Sequence, residues 1–409
     1  MECLFSNKEY IKSILNEKYV KIKNLHVIGK LKLNFEPYPF EKLTKLLENI
    51  TPSKDFEPAI LTIGEPQFET PLFIQEELKN SSSLLNKYPK TAGESYLKDA
   101  QVSFVKKRFG VELKDSEIIP TFGTREVLFN FPQFLLFDVK EPIIAYTNPF
   151  YQIYEGAAKA CRAKVVYLDL TKENNFKPDI KLKELKNANL VILNFPNNPT
   201  ASTLNIDELG EWVKLALKYD FVLMNDECYS ELYCDKKPIS LLEASLYVNN
   251  DSFKNVVVIN SISKRSSAPG LRSGFIAGDE IILKEYMKYR TYIGCAIPLP
   301  LQKASAVAWS DELHVEKSRE VYKKNLELAS KILGIKRSDA TFYVWLEVKD
   351  ELEFTKELYK SKNVKVLPGS FLGRGGIGCA YIRIALVENS EKTKEVLTRI
   401  SDFMKEELS

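Results

Sequence analysis

The chain has 409 residues, of which 44% are hydrophobic and 28% are charged, and its formal net charge at pH 7 is only +3. This length and apolar content are enough for a globular protein of two or three folded units with substantial cores. The charges nearly cancel and the lysines are scattered, so the sequence lacks the basic surface that binding to nucleic acid or to an anionic membrane requires. Small molecules are therefore the expected partners.

The start of the chain and its cysteines predict a cytoplasmic protein. No apolar segment follows the first basic residues, and no stretch approaches the roughly 18 apolar residues of a membrane span. The six cysteines contain no CxxC pair and show no metal-ligand spacing, so neither a zinc site nor a disulfide scaffold is expected. With only two histidines, His26 and His314, the chemistry is expected to use lysine, tyrosine or a cofactor as proton carrier.

In chain order, residues 1–33 form an extension of unassigned role, and the segment from Phe35 to Ile50 predicts a helix. From about Glu117 to Gly278, short apolar runs alternate with helical patterns. Seven runs are apolar on both faces and predict strands: EIIPTFG, EPIIAYTNPFY, AKVVYLDL, LVILNFPNNP, FVLMNDECY, VVVINSISK and SGFIAG. Helical patterns such as Ile206 to Tyr219 separate them, which is typical of a mostly parallel sheet with helices on both faces. The predicted fold class is α/β, with residues 64–310 as the large domain.

Beyond about Asp311, the sequence predicts a smaller α+β domain, residues 311–409, to which residues 34–63 would contribute. Its expected elements are a long charged helix from Leu313 to Leu333, strands around TFYVWLEV, VKVLP and YIRIAL, and a final helix from Lys392 to Glu407.

The stretch FLGRGGIG contains a literal Gly-x-Gly-x-x-Gly, formed by Gly373, Gly375 and Gly378. A dinucleotide site needs a helix directly after this motif, because the helix amides bind the pyrophosphate. Here a strand-like run, CAYIRIAL, follows instead. The match is therefore interpreted as accidental, and the glycines need another reason.

Polar motifs follow the predicted strands at the sheet edge where ligands bind in such folds. They are Gly123-Thr124-Arg125 at the start of a helical pattern, NPFYQIY, NFPNNPTA, NDECYSELY and SISKRSSAPGLRSG. Each motif alone is compatible with a turn or a helix cap, but their succession on consecutive strand ends indicates a functional site. Arginine is scarce beside lysine, and its planar fork suits carboxylate and phosphate, so Arg272 and Arg383 are candidate anion ligands.

NNPT, DECY, SISK and an arginine eight positions after the lysine stand in the order and close to the spacing of one family. Over residues 34–409 the chain resembles the class I pyridoxal-phosphate aminotransferases of the aspartate aminotransferase fold. The resemblance implies that Lys264 carries pyridoxal 5′-phosphate covalently and moves the substrate proton, while Asp226 keeps the pyridine nitrogen protonated. The residues it assigns to the cofactor are Tyr88, Gly123, Thr124, Tyr151, Asn198, Asp226, Tyr229, Ser261, Ser263 and Arg272.

The resemblance also implies a substrate site and a dimer. Arg383 would bind the α-carboxylate of the substrate, with Gly64 and Asn198 alongside. GRGGIG would be the flexible loop that leads into the strand presenting Arg383, and its glycines would pass the site too closely to carry side chains. Tyr88 matches a tyrosine that reaches the cofactor phosphate of the neighbouring subunit, which implies a homodimer with shared active sites.

Several segments resemble the N-succinyldiaminopimelate aminotransferases of bacterial lysine biosynthesis: FEPYPFEKLTKLL, LTIGEPQFETP, KYPKTAGE and YRTYIGCAIPLPLQKASAVAWSDELHV. That group commonly has a histidine after YRTY, where this chain has Ile293. The expected reaction is transamination between N-succinyl-LL-diaminopimelate and 2-oxoglutarate. Arg125 and Arg290 are candidates for binding a distal carboxylate.

The alternatives share the scaffold. One is another class I aminotransferase acting on aspartate, aromatic or varied amino acids; another is a carbon-sulfur lyase, a decarboxylase or an acyl-transferring synthase, because the pocket chooses which bond breaks. A non-catalytic DNA-binding regulator is disfavoured, because residues 1–33 are too few for a winged helix and the expected catalytic residues are all present.

Overall fold

The structure is a computed structural model that describes residues 35–406. The prediction for residues 1–33 lies outside the described part. Residues Pro37–Ser409 form one compact unit, and the division into a large domain (64–310) and a smaller one (34–63 and 311–409) stays a prediction.

The chain alternates strands and helices, as the sequence predicts. The strands are β1 (Ala59–Ile60), β2 (Ile118–Thr121), β3 (Ile143–Asn148), β4 (Lys164–Asp169), β5 (Leu190–Leu193), β6 (Val222–Asp226), β7 (Val256–Ser261), β8 (Gly274–Gly278), β9 (Tyr343–Glu347), β10 (Val364–Lys365), β11 (Leu367–Pro368) and β12 (Tyr381–Ala385). The α-helices are α1 (Pro39–Leu47), α2 (Leu72–Asn80), α3 (Ser95–Phe109), α4 (Thr124–Leu135), α5 (Ile153–Ala160), α6 (Ile206–Tyr219), α7 (Leu241–Tyr247), α8 (Ile262–Arg265), α9 (Glu280–Arg290), α10 (Leu299–Ser310), α11 (Leu313–Leu333), α12 (Glu351–Lys362) and α13 (Ser390–Glu406).

The seven predicted strands form one sheet in the order β2-β8-β7-β6-β5-β3-β4. β8 runs antiparallel to its neighbours β2 and β7, and the other pairs are parallel, which confirms the mostly parallel sheet. The prediction that every run is apolar on both faces is wrong for β4. This strand lies at the edge of the sheet, and both of its terminal residues, Lys164 and Asp169, are exposed.

The continuous apolar character of the central strands follows from helices on both faces of the sheet. Successive residues of a strand point to opposite faces. Val191 of β5 therefore packs with α6 in one core, while Ile192 packs with α4 in the other. Helix α6 begins with a reciprocal cap, because the Asn205 side chain accepts from the Glu208 amide and the Glu208 carboxylate accepts from the Asn205 amide.

A second sheet of three antiparallel strands, in the order β11-β12-β9, holds the C-terminal part together. Its core includes residues of α11, α12 and α13. Helix α1 packs Leu43 and Leu47 against Leu367 and Leu372, which confirms the expected N-terminal helix and its contact with this part. The predicted strand VKVLP is split, because β10 pairs with β1 while β11 pairs with β12. The final helix begins two residues before the predicted start, at Ser390.

Within the described residues, no helix has both the length and the hydropathy needed to span a membrane. The parallel strands β3, β5, β6 and β7 all direct their carboxyl ends to the same edge of the large sheet. β2 runs in the same direction, because β2 and β7 are both antiparallel to β8. Each polar motif singled out in the sequence follows one of these five strands, so the fold brings the motifs together.

Candidate active site

A cavity of about 430 Å³ lies at this edge of the sheet, between the strand ends, α1 and β12. It is lined by every predicted site residue except Tyr88 and Gly123: Gly64, Thr124, Tyr151, Asn198, Asp226, Tyr229, Ser261, Ser263, Lys264, Arg272 and Arg383. Residues separated by more than 300 positions in sequence thus share one pocket.

Lys264 lies on the short helix α8, which directly follows β7. The Ser261 side chain caps this helix by accepting from the Ser263 amide at 3.1 Å. The Lys264 ammonium donates to the Gly64 carbonyl oxygen. Burial lowers the pKa of Lys264 to about 8, and the positive charges of Arg383 and Arg272 act in the same direction. With this pKa, about a tenth of the amine is unprotonated at pH 7, far more than of a free lysine, so a usable fraction can act as a nucleophile or a base near neutral pH.

Asp226 ends β6 and is only 5% exposed. Its carboxylate accepts from the Tyr154 hydroxyl at 3.0 Å and from the Cys228 amide at 3.2 Å. Within the described part of the chain it makes no ion pair with a lysine or arginine. Burial raises its pKa, although these hydrogen bonds oppose the rise. A cationic N–H group in the cavity would offset the cost of keeping this carboxylate ionised.

Neighbours of Asp226 that the sequence analysis did not identify hold it in place. Tyr154 is fully buried and belongs to α5, just after the NPFY motif. Asn194 donates to the Asp226 carbonyl oxygen at 2.8 Å and accepts from the Asn198 amide at 2.9 Å. Both residues sit in motifs that were recognised, but a buried tyrosine and an asparagine after a strand are so common in cores and turns that neither stood out.

Hydroxyls, a helix start and an arginine form an anion-binding corner of the cavity. Ser261 and Ser263 lie with their hydroxyl oxygens 2.8 Å apart, and Thr124 is the first residue of α4. Arg272 donates only to main-chain carbonyls, those of Pro269 at 2.9 Å and Phe122 at 3.5 Å, and no carboxylate of the described residues pairs with it. A guanidinium, hydroxyls and open helix amides together suit a phosphate.

Gly123 does not line the cavity but makes this corner possible. It precedes α4 with a φ of +75°, in the region that glycine tolerates best. A Cβ at this position would lie 2.4 Å from Nη2 of Arg272. Any larger residue would therefore displace the guanidinium.

Tyr151 and Tyr229 supply aromatic and hydroxyl groups to the cavity walls. The Tyr151 hydroxyl accepts from Arg125 Nε at 2.9 Å. Tyr229 is buried and its hydroxyl lies 3.0 Å from that of Tyr343, another lining residue that the sequence analysis did not name. Tyr343 also fixes the identity of Gly64, because a Cβ on Gly64 would lie 1.9 Å from the Tyr343 hydroxyl.

Arg383 projects into the cavity from β12 and is only 5% exposed. It donates to Asn198 Oδ1 at 2.8 Å and to the Thr62 carbonyl at 2.6 Å. Its Nε is buried and has no hydrogen-bond partner among the described residues. Arg383 also lies over the Tyr343 ring, with 4.5 Å between the guanidinium carbon and the ring centroid. A desolvated guanidinium with a free donor is suited to a carboxylate ligand.

The two remaining arginine candidates differ. Arg125 lines the cavity and is exposed there. Arg290 is fully buried outside it and pairs with Glu126 at 2.6 Å, so the hypothesis that Arg290 binds a distal carboxylate is wrong. Tyr88 is fully exposed and does not line the cavity of its own chain, so the structure does not bring it to the other predicted residues.

The physical reason given for the glycines of GRGGIG is also wrong. A Cβ on Gly373 would overlap the Ile377 carbonyl, and one on Gly378 would overlap the Gly369 carbonyl. Gly375 and Gly376 have open space around them but positive φ angles of 62° and 84°. The glycines therefore permit the fold of the loop itself and do not keep side chains out of the cavity.

The structure also assembles Ser266, His314 and Asp311 as in a serine hydrolase. His314 Nε2 lies 2.9 Å from the Ser266 hydroxyl, and Nδ1 lies 2.5 Å from Asp311. Ser266 is only 1% exposed and does not line the cavity, so its hydroxyl cannot reach a substrate. These contacts attach the segment after Lys264 to the start of α11.

Comparison with known proteins agrees with this geometry. Residues 59–400 match the family described as aminotransferase class I and II. The aminotransferase AspB from Helicobacter pylori, known from a crystal structure, shares 53% sequence identity with this chain. The two structures superpose with a TM-score of 0.89 over 91% of this chain and 99% of that one. An LL-diaminopimelate aminotransferase of Natranaerobius thermophilus is 30% identical (90% of this chain, 97% of the relative), and an aspartate aminotransferase of Pyrococcus horikoshii is 29% identical (90% and 95%).

The chain therefore belongs to the class I and II aminotransferases and is a pyridoxal-phosphate-dependent transaminase. The residues of the cavity fit this cofactor. Asp226 is a buried carboxylate with no ion-pair partner among residues 35–406, as a protonated pyridine nitrogen would require, and the corner around Arg272 suits the phosphate. When bound, the cofactor withdraws electrons from the substrate Cα.

Proposed function

We propose that this enzyme transaminates an amino acid with a second carboxylate far from its α-carbon, with N-succinyl-LL-diaminopimelate and 2-oxoglutarate as the physiological pair. In this proposal Lys264 carries the cofactor and moves the proton at the substrate Cα, and the buried guanidinium of Arg383 binds the α-carboxylate. Asp226, supported by Tyr154, holds the ring nitrogen protonated. Arg272, Ser261, Ser263 and Thr124 hold the phosphate.

The proposed substrate class rests on the hydrogen bonds and ion pairs that Arg125 makes. Its Nε is used by the Tyr151 hydroxyl, but no carboxylate among the described residues pairs with it. The other candidate for a distal carboxylate, Arg290, is neutralised by Glu126. A second anionic group on the substrate therefore has Arg125 as its partner inside the cavity, while Arg383 is left for the α-carboxylate.

The names of the relatives support a dicarboxylic substrate of this kind but not one particular length. LL-diaminopimelate and aspartate both carry a carboxylate beyond the α-carboxylate, and relatives with both names match similarly well. Aspartate is therefore the second candidate donor. The resemblance of YRTYIGCAIPLPLQKASAVAWSDELHV to the N-succinyldiaminopimelate group favours the longer substrate.

A panel of amino donors with 2-oxoglutarate tests this proposal. We expect the highest kcat/KM with N-succinyl-LL-diaminopimelate, measured as glutamate formed. Arg125→Gln should lower kcat/KM for dicarboxylic donors about tenfold, the loss of one partly screened charge-assisted contact. Alanine and leucine serve as controls, since their kcat/KM should change little. An equal loss with every donor would contradict the assignment of Arg125, and release of ammonia and pyruvate without glutamate would indicate a lyase.

The proposal includes a homodimer. The full exposure of Tyr88 supports this, because a tyrosine expected at the cofactor phosphate, but absent from the cavity of its own chain, needs a second copy to reach one.

A further inference from the structure

A glycine-rich loop, residues 369–380, connects β11 to β12, the strand that carries Arg383. Leu372 of this loop lines the active-site cavity. The loop therefore determines both a part of the cavity wall and where the strand with Arg383 begins.

The loop is attached to the end of β3 by its main chain. The buried Asn148 side chain accepts from the Arg374 amide at 2.9 Å and donates to the Arg374 carbonyl at 3.0 Å. The Phe150 amide donates to the Leu372 carbonyl at 3.0 Å. These reciprocal contacts fix the loop against the segment that leads to Tyr151.

A bidentate ion pair reinforces the same attachment. Arg374 donates through Nε and Nη2 to the two carboxylate oxygens of Glu155, at 2.9 Å and 2.7 Å. Glu155 is 8% exposed and lies on α5, directly after Tyr154, whose hydroxyl donates to Asp226. The Arg374 guanidinium also lies over the Phe150 ring, 5.2 Å from its centroid. A largely buried, two-point pair holds orientation as well as distance.

The pair thus joins two walls of one cavity. On one side are Leu372 and, through β12, Arg383; on the other are Tyr151 and, through Tyr154, Asp226. An amino acid held by its α-carboxylate at Arg383 must present its Cα to a cofactor seated against Asp226. The separation of these walls sets whether both ends can be satisfied together.

We propose that Arg374 and Glu155 are positioning residues that set the distance between the carboxylate-binding arginine and the cofactor-binding wall. They act through the loop and α5 and do not touch substrate. The inference rests on the proposed binding of the α-carboxylate by Arg383. Because the pair acts on the geometry of substrate binding, its loss affects KM more than kcat and leaves the cofactor in place.

The test uses the holoenzyme with three variants. Glu155→Gln removes the charge with little change in shape, Arg374→Lys keeps the charge but loses the fork, and the double exchange Glu155→Arg/Arg374→Glu can re-form a pair. The matched control is Glu347→Gln, which breaks the exposed Lys172–Glu347 pair between the end of the large sheet and β9. KM and kcat for the amino donor, bound cofactor per subunit and amide hydrogen exchange are measured on each.

We expect Glu155→Gln and Arg374→Lys each to raise KM roughly tenfold while kcat changes less than about threefold. Amide hydrogen exchange should accelerate in peptides containing Leu372 and Arg374, and the bound cofactor per subunit should stay unchanged. The double variant should reverse part of the rise in KM. The control should match the wild type.

An unaltered KM in the single variants overturns the proposal. So does a changed KM with normal amide hydrogen exchange in the loop. A double variant whose rise in KM equals the combined effects of the two single substitutions also overturns it. If the wild type itself transaminates no donor, the proposed function fails; if it is active but insensitive to these variants, only the positioning role fails.

Discussion

At the residue scale, the cavity contains a lysine and an aspartate whose burial favours the neutral form of each side chain. Burial lowers the pKa of Lys264 to about 8 and raises that of Asp226. A free lysine amine, with a pKa near 10.4, would be almost entirely protonated at neutral pH. The protein thus readies the amine for attack on an aldehyde and leaves a carboxylate that a cationic ring nitrogen can stabilise.

Most residues that line the cavity could be predicted from the sequence, because the family resemblance points to them and most of them follow strand ends in short polar motifs. Those that support them could not. Tyr154 ends the recognised motif NPFYQIY and Tyr343 lies in the apolar run TFYVWLEV, but a buried tyrosine is normally part of a core. Arg290 was a candidate for a distal carboxylate, but only the structure shows that Glu126 neutralises it.

At the element scale, the segment after Asp226 contains a second buried carboxylate with a structural task. Glu227 Oε1 accepts from the Leu241 amide at 2.8 Å, from the Ser240 hydroxyl at 3.1 Å and from Asn225 at 3.1 Å, which ties the end of β6 to the start of α7. Burial raises the pKa of Glu227 to about 7. The folded state therefore binds this proton more tightly than the unfolded state, whose glutamate titrates near pH 4.3.

This difference predicts how stability depends on pH. The favourable contribution of protonated Glu227 is complete below the unfolded pKa and is lost as pH rises through about 7. In Glu227→Gln the three hydrogen bonds can remain, because all of them use one oxygen. In the wild type, we expect the free energy of unfolding to fall by up to about 3 kcal/mol between pH 5 and pH 8 because of Glu227. In Glu227→Gln this fall should be absent.

Denaturant unfolding at these two pH values measures the effect, with exposed Glu316→Gln on α11 as the control. A Glu227→Gln variant with the same pH dependence as the wild type would mean that Glu227 is ionised throughout this range.

The hydrophobic periodicity of the sequence predicts most helices and strands, but it does not predict which strands pair with each other. Helices α6 and α11 match the predicted bounds because each has an apolar face, while Asn205 caps the start of α6 and the left-handed Gly334 ends α11. VKVLP looked like one strand, yet it divides between β1 and β12, since pairing depends on distant partners. The Gly-x-Gly-x-x-Gly interpretation was confirmed because the following element is a strand, whereas the reason for its glycines required the positions of the loop carbonyls.

At the scale of the whole molecule, the proposed homodimer makes a specific prediction about Tyr88. If this residue completes the neighbouring site, a hybrid of one Lys264→Ala subunit and one Tyr88→Phe subunit contains one site with both residues intact. We expect this hybrid to show about half the activity of the wild type, with wild-type affinity for the cofactor, because one of its two sites is complete. A hybrid with only the weakened affinity of Tyr88→Phe would place Tyr88 outside the neighbouring site.

The central claim is that Lys264 is the amine that carries the cofactor, activated by burial. The most direct measurement is borohydride reduction of the purified enzyme with pyridoxal 5′-phosphate, followed by mass spectrometry of its peptides. We expect one modified peptide, bearing the cofactor on Lys264, and a fixation rate in apoenzyme that rises with pH around a midpoint near 8. Lys264→Ala should remain folded and unmodified. Fixation on another lysine, or no fixation at all in excess cofactor, would contradict the account.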